Sequence, residues 1–430
     1  MRADRLPLVL IPQHFGCLVF DRRTSRYLPF DAPATELLLA LTRGPLEPLL
    51  AGLADPEERE AVLGFHEAFY DLGFFRLDGT LAAAVLDVAV PPDHLVGPLA
   101  VHLEVVAACN LTCTHCFAGS LPRNDAPLTV GEMDRLFADL ASLGSFRLGL
   151  TGGEPLLRKD LLEILDAATD RGLHPCLTTN GLLLTESLAR ELGRRELVWL
   201  NVSLEGPTAE VNDAVRGRGS FAAAVEKIRL LRDRARFTLA FTLMSHNAHL
   251  ARQCAELAAE LGAHTAVFRP LYPTGTALHH LELMPRFDQY VGALDELAAM
   301  ESPRADLRAL DAFGPAQRAG QQPEIHRSHD CGAGVHVCSI SVQGDLNPCS
   351  FLGPSFAAGN IRRTPFPELW RTSEKLRAMR DERAHPGGCR ARAQALGGSA
   401  NAEDPWFAEF RARRERHPSD NLEMTVVKKP

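Results

Sequence analysis

Three cysteines lie in the run Cys109-Asn110-Leu111-Thr112-Cys113-Thr114-His115-Cys116, spaced C-x3-C-x2-C, directly after a strand-like segment. Thiolates this close together can hold three irons of a cubane [4Fe–4S] cluster. No fourth ligand is at hand locally, so one iron stays open to a small molecule, a position that a four-cysteine ferredoxin site closes. Zinc ligation, or three buried thiols, is the competing reading. Zinc, however, prefers paired C-x2-C units completed by a fourth nitrogen or sulfur.

Further polar groups fall at the ends of later strand-like segments. Gly152-Gly153-Glu154-Pro155 comes about 36 residues past Cys116, the length of one strand–helix unit with its loops. Glycines let backbone approach a ligand closely, and Glu154 can accept a hydrogen bond from an ammonium. Thr178-Thr179-Asn180-Gly181 and Asn201-Val202-Ser203-Leu204-Glu205-Gly206 end the next two segments. Their hydroxyl, amide and carboxylate groups suit a ribose diol and a carboxylate. Arg216, within Asn212 to Phe221, is a candidate carboxylate clamp, because a guanidinium engages a carboxylate through two parallel bonds.

Cys331, Cys338, Cys349 and Cys389 form a second constellation, opening as C-x12-G-x4-C through Gly344. No cysteine occurs between Leu376 and Gly388, and Phe407 follows Asp404-Pro405-Trp406. Structural zinc is the alternative for these four. Cys17 and Cys176 sit in apolar strand-like runs and Cys254 in a helix, where inert buried thiols are expected. Glu104 points toward a barrel interior, either to touch substrate or as a satisfied lumen carboxylate.

Placing these groups requires a regular scaffold. From Leu99 to Pro273 strand-like segments (100–106, 147–150, 174–178, 198–203, 238–243, 265–269) alternate with helical ones (130–143, 159–171, 185–192, 220–234, 248–261). Thr129-Val130-Gly131-Glu132 reads as a capping box. Six such alternations imply a parallel sheet with right-handed crossovers, its site at the C-terminal strand ends. Ahead of it, Leu8–Ile11, Cys17–Phe20 and Arg26–Phe30 read as strands, 34–41 and 56–72 as helices, and Gly73–Leu77 as a wing strand. Helix 287–300 bridges to the C-terminal region, and the tail after Glu409 is expected to be loosely ordered.

The chain has 430 residues, 46% hydrophobic and 23% charged, with net charge −8. That balance carries no electrostatic footprint for nucleic acid. No apolar run approaches the ~20 residues needed to span a bilayer, and no signal-peptide core is evident. Ten cysteines in such a chain point to metal ligation in a reducing cytoplasm rather than to disulfides.

The cysteine triad, the Gly152–Pro155 segment and the strand-end groups together resemble the radical S-adenosylmethionine (SAM) superfamily. The resemblance implies an α/β fold, a partial (βα)6 TIM-like barrel, with Cys109, Cys113 and Cys116 holding a [4Fe–4S] cluster whose open iron takes the amino and carboxylate groups of SAM. It assigns SAM contacts to Gly152, Gly153, Glu154, Pro155, Thr179, Asn180, Ser203, Glu205 and Arg216. Aspartate is commoner at the position of Glu205. Phe268-Arg269-Pro270-Leu271 would flank adenine. The C-terminal cysteines resemble a SPASM extension reduced to a Twitch-like form. In the full pattern, the first auxiliary cluster uses the cysteines matching Cys331, Cys338, Cys349 and Cys389, while those of the second cluster are missing here. Two [4Fe–4S] clusters are therefore expected. The N-terminal unit resembles the PqqD type of peptide-recognition domain, in which an extended leader adds to a sheet edge.

By resemblance the domains are 1–88 (peptide recognition, winged-helix-like), 97–290 (barrel), 291–326 (bridge), 327–408 (Fe–S extension) and 409–430 (tail). Mycofactocin-maturase-like peptide maturases are the nearest resemblance. The implied activity is reductive cleavage of SAM to a 5′-deoxyadenosyl radical and oxidative modification of a ribosomally made precursor peptide by cross-linking, desaturation or decarboxylation. Implied partners are that peptide and a ferredoxin or flavodoxin as electron donor, with no nucleic acid and no membrane. The run Gly387 to Ala393 and Ala402 to Pro405 also resemble haem-pathway relatives. A small-molecule substrate (tetrapyrrole, aminoglycoside or nucleoside) thus remains the alternative, with a non-catalytic Fe–S scaffold as a third reading.

Overall fold

A computed structural model describes residues 5–119, 126–195, 197–300, 305–309, 331–381, 385–416 and 427–428. Four strands form a small N-terminal sheet: β1 (Leu8–Gln13), β2 (Gly16–Asp21), β3 (Arg26–Asp31) and β4 (Ala83–Val85). Their order is β3-β2-β1-β4, which leaves β3 as an outer edge. The apolar run from Leu8 to Ile11 alternates between two cores. Leu8 and Leu10 pack under the helices Ala32–Leu41 and Pro56–Asp71, while Val9 and Ile11 join the core of the large domain. A strand buried on both faces reads as a continuous hydrophobic run, and this one does.

Among the described residues the large sheet has ten strands. The six expected ones are β5 (Ala100–Val106), β6 (Arg147–Gly152), β7 (His174–Thr179), β8 (Trp199–Ser203), β9 (Thr238–Leu243) and β10 (Thr265–Pro270). Four more extend it: β11 (Asp306–Ala309), β12 (Val337–Ile340), β13 (Leu346–Asn347) and β14 (Val427–Lys428). The order β13-β12-β5-β6-β7-β8-β9-β10-β11-β14 is open, with β11 parallel to β10 and β12 parallel to β5. The α/β parallel architecture is as expected, widened by one parallel strand on each side, β12 beside β5 and β11 beside β10. Alternation along each strand sets the two faces. Val101, Leu103 and Val105 of β5 enter the apolar core, so His102 and Glu104 face the other way.

Helices cover the outer face. Val130–Ser142 opens on the predicted capping box, with Glu132 N donating to Thr129 Oγ1 (3.2 Å) and Thr129 N to Glu132 Oε2 (2.8 Å). It buries Met133, Leu136, Phe137 and Leu140 at helical spacing, each full burial contributing about 1.5–3 kcal/mol.

Three expectations change. Gly73–Leu77 is not a strand; a single bridge joins Phe75 to Leu81. Part of the expected loose tail is ordered: Pro405–Arg416 is a helix, and β14 pairs with β11. Ala209–Arg216 is a helix that the sequence reading did not place. Of the expected bridge 291–326, residues 301–304 and 310–326 lie outside the described residues.

The N-terminal unit is fastened to the end of the barrel from which β6 and β7 start. Phe20 meets Phe146 at 4.8 Å and His174 at 4.9 Å between ring centroids. Tyr27 Oη donates to Gly144 O (2.8 Å) and accepts from Phe146 N (2.7 Å). Among the described residues no helix is long and apolar enough to cross a membrane.

Candidate active site

The cysteine loop leaves β5 at the opposite, C-terminal end of the sheet and is held by backbone bonds from several neighbours. Thr114 N donates to Val215 O (3.0 Å), Cys116 N to Cys113 O (3.3 Å) and Thr276 N to Cys116 O (2.8 Å). The thiols of Cys109, Cys113 and Cys116 are close enough to influence one another electrostatically, and burial pushes Cys113 up to about 11 as a free thiol. Metal binding there must displace protons. Among the described residues no three His, Cys, Asp or Glu side chains gather tightly enough for one metal ion. A cubane suits the cysteine triad better, because each cysteine would bind a different iron and the three need not converge on one ion.

Gly152 and Gly153 lace β6 to this loop. Gly153 N donates to Val106 O (2.6 Å) and Glu154 N to Ala108 O (2.8 Å). A Cβ on Gly153 would lie 2.2 Å from Ala108 O, and Gly152 has φ +131°, so neither position admits a side chain. Glu154 is 1% exposed. Its Oε1 accepts from Leu156 N (2.9 Å) and Thr179 Oγ1 (2.6 Å), and its Oε2 from Asn180 N (2.7 Å). Asn180 Nδ2 reaches back to Asn110 Oδ1 (2.7 Å) and lies 3.9 Å from Cys109 Sγ. One carboxylate thus ties the tips of β6 and β7 together beside the cysteine loop, with Pro155 starting the tight turn that follows.

Past β8, Glu205 forms a second knot. Its Oε1 accepts from Arg216 Nη2 (2.6 Å) and meets His115 Nε2 (3.1 Å), and its Oε2 accepts from Thr242 N (2.7 Å). Burial would raise this carboxyl, but Arg216 and His115 outweigh it and hold it at about 2. Arg216 therefore clamps a carboxylate of the protein itself. Its charge also bears on Cys113 and Cys116, and its Nε is buried without a hydrogen bond. Asn212 Oδ1 accepts from Glu205 N (3.0 Å) and Asn247 Nδ2 donates to Glu205 O (2.8 Å). His115, Asn212 and Asn247 went unassigned in the sequence; buried polar residues on non-contiguous loops leave no periodic signal. Ser203 stands half-buried at the tip of β8. Phe268 stacks on Phe241 in the apolar core (centroids 5.3 Å), turned away from the face that carries Arg269.

The C-terminal cysteines also converge. Cys338 lies on β12, whose pairing places it beside Val101 of β5. Cys331, Cys338 and Cys389 all act electrostatically on Cys349, a thiol that burial raises. Phe351 N donates to Cys349 Sγ (3.5 Å). Asp404 accepts from Cys389 N (2.6 Å) and takes a bidentate pair from Arg392 (2.8 and 2.7 Å), both side chains fully buried. That buried pair absorbs two of the charged positions in the Gly387–Ala393 and Ala402–Pro405 segments. Phe407 fills space against Gly387, where a Cβ would come within 2.4 Å of its ring. Phe351 also touches Phe117 (5.5 Å) and Tyr272 (4.3 Å), so an aromatic bridge joins the residue after Cys116 to the Cys349 loop. Cys17 and Cys254 are buried apolar thiols, whereas Cys176 is half-buried on β7.

Comparison with known proteins gives concordant matches. The family model described as radical SAM superfamily matches residues 103–249, and SPASM, an iron–sulfur cluster-binding domain, matches 331–391. The AdoMet-dependent heme synthase of Methanosarcina barkeri is 33% identical over 338 residues, 72% of this chain and 96% of that protein. The mycofactocin maturase MftC of Mycobacterium tuberculosis is 30% identical over 74% of this chain and 86% of its own length. The PqqA peptide cyclase of Rhodopseudomonas palustris is 31% identical over 72% and 86%. In fold, the chain is similar to Streptococcus suis SuiB bound to S-adenosylmethionine, with TM-score 0.69 and 14% identity over 94% of this chain and 99% of that one.

Proposed function

This chain belongs to the radical SAM superfamily, carrying its SPASM extension, and we infer that it oxidatively modifies a ribosomally made precursor peptide. The observation that carries the peptide reading is the N-terminal sheet. It is buried on both faces yet leaves β3 as an outer edge, where an extended peptide can pair through its backbone. Similarity to the PqqA peptide cyclase, named for peptide chemistry, and to the maturase MftC supports it.

Cys109, Cys113 and Cys116 would hold the SAM-binding [4Fe–4S] cluster. Gly152, Gly153, Glu154 and Pro155 would line the methionyl amino group, and Thr179, Asn180 and Ser203 the remaining polar edges of SAM. When bound, the cluster and SAM supply a 5′-deoxyadenosyl radical able to remove hydrogen from an unactivated C–H. Glu205 and Arg216 would act on the loop rather than on the ligand, fixing His115 and keeping a cation beside two of the thiolates. Cys331, Cys338, Cys349 and Cys389 would ligate one auxiliary [4Fe–4S] cluster completely. A closed site suits acceptance of an electron, which favours cross-linking, desaturation or decarboxylation over a redox-neutral outcome. A ferredoxin or flavodoxin of the cytoplasm would serve as electron donor.

The test is anaerobic incubation of the reconstituted, reduced full-length chain with short peptides encoded beside its gene. The expected result is 5′-deoxyadenosine together with a peptide that has lost two hydrogens, with or without carbon dioxide. Similarity to the AdoMet-dependent heme synthases favours a second reading, a tetrapyrrole substrate. 5′-Deoxyadenosine with every such peptide unchanged would move the assignment there.

A further inference from the structure

The seam between the N-terminal unit and the barrel opens into a cleft of about 660 Å³. Arg5, Arg22 and Arg23 line it from the N-terminal unit, and His174, Arg195 and Arg236 from the barrel. No Asp or Glu lines it among the described residues. Five guanidinium groups around one cleft run against the sign of a chain whose net charge is −8. Their partners differ. Arg23 pairs with Asp21, and Arg195 with Asp166 and Glu191. Arg5 and Arg22 instead donate to carbonyl oxygens of Thr169, Asp170 and Gly172, which neutralise no charge. Arg236 is exposed. The cleft is thus a rigid, electropositive recess, fixed by the same bonds that fasten the two domains.

We propose that this cleft binds an acidic stretch of the precursor peptide, upstream of the residue that is modified. The proposal rests on the peptide reading above and adds a charge requirement and a place for it. Arg22 and Arg23 lie in the β2–β3 turn, and β3, the free edge strand, begins at Arg26. A peptide paired along β3 therefore runs off that end into the cleft. A small anion here would sit at the wrong end of the barrel for chemistry, because the strands separate it from the cysteine loop by about 20 Å. An extended ligand can occupy both ends. At about 3.4 Å per residue, at least about six residues must separate the acidic stretch from the modified position.

The experiment uses the full-length chain and fluorescein-labelled octaglutamate as probe, read by anisotropy, with a glycine–serine peptide of equal length as control. Binding is expected at about 50 mM salt and should weaken about tenfold or more at about 300 mM. Arg236→Glu should weaken it about tenfold, and Arg22→Gln by several-fold while still able to donate to Gly172 O. Arg377→Glu, on the C-terminal extension, should leave it unchanged. Absence of binding at low salt, or equal affinity in Arg236→Glu and Arg22→Gln, overturns the proposal. So does displacement of the probe by equimolar inorganic pyrophosphate, which would mark a small-anion site. 5′-Deoxyadenosine formation without peptide should be unaltered in these variants, so loss of the cleft proposal leaves the radical chemistry standing, and the reverse.

Discussion

Arg216 and Glu205 form a buried ion pair, Nη2 to Oε1 at 2.6 Å, with side chains 10% and 2% exposed. It joins the tip of β8 to the end of the helix Ala209–Arg216, and through His115 it reaches into the cysteine motif. The sequence offered Arg216 as a clamp for a ligand carboxylate. The structure gives it a carboxylate already in place, and the charge it brings to Cys113 and Cys116 follows from that fixed position.

Removing one partner of such a pair leaves a charge buried without compensation. Arg216→Met is therefore expected to destabilise the chain by about 3–5 kcal/mol. Adding Glu205→Leu removes the stranded carboxylate and should recover most of that loss in a thermal melt. Iron content should not recover, since the cation beside the thiolates is gone in both variants. Full iron loading of the double variant would show that the pair serves stability alone.

The two cysteine sets predict a count. Reconstituted chain should hold about 8 irons, and Cys389→Ser about 4 or slightly more, with SAM cleavage retained in that variant. About 12 irons in the parent chain would require a third cluster, for which ligands would have to come from outside the two sets.

The barrel was legible because its strands and helices obey simple periods. Segments 100–106 and 238–243 agree with β5 and β9 to the residue, and the Thr129 capping box is formed as read. The cysteine triad and the Gly152–Pro155 turn were equally plain, since chemistry and close approach restrict which residues those positions admit. The Glu205 knot was not. His115, Asn212, Thr242 and Asn247 meet there from four different loops or elements, and nothing local links them. Phe268 misled for a related reason: an aromatic near a strand tip can face either side, and here the register turned it onto Phe241. The fastening of the N-terminal unit through Phe20 and Tyr27 was likewise invisible, because an apolar strand shows that it is buried but not against what.

That fastening can be measured. Tyr27→Phe strands the carbonyl of Gly144 and the N–H of Phe146, and should cost about 1–3 kcal/mol. Phe20→Ala, which opens a cavity at the same seam, should cost about 3–5 kcal/mol. In denaturant both variants should release the N-terminal unit before the barrel unfolds, seen as early proteolysis ahead of residue 100. A single coincident transition in both would mean that the seam contributes little to coupling the two cores.

Glu104 gives a pH dependence of definite sign. It is 5% exposed on the inner face of β5, its Oε2 has no hydrogen-bond partner, and burial raises its carboxyl to about 7 despite a bond from the Val342 backbone. The unfolded chain titrates this group near 4.5. Between those values the folded chain holds the proton more tightly, so the group's contribution to stability is fully present below about 4.5 and is lost as pH rises through about 7. The loss amounts to about 3 kcal/mol. Glu104→Gln carries no such titration. In urea melts of the metal-free chain, the variant's stability relative to the parent should rise by about that amount from pH 5 to pH 8. A difference that stays constant across this range would mean that Glu104 is ionised throughout, with a counter-charge close enough to offset its burial.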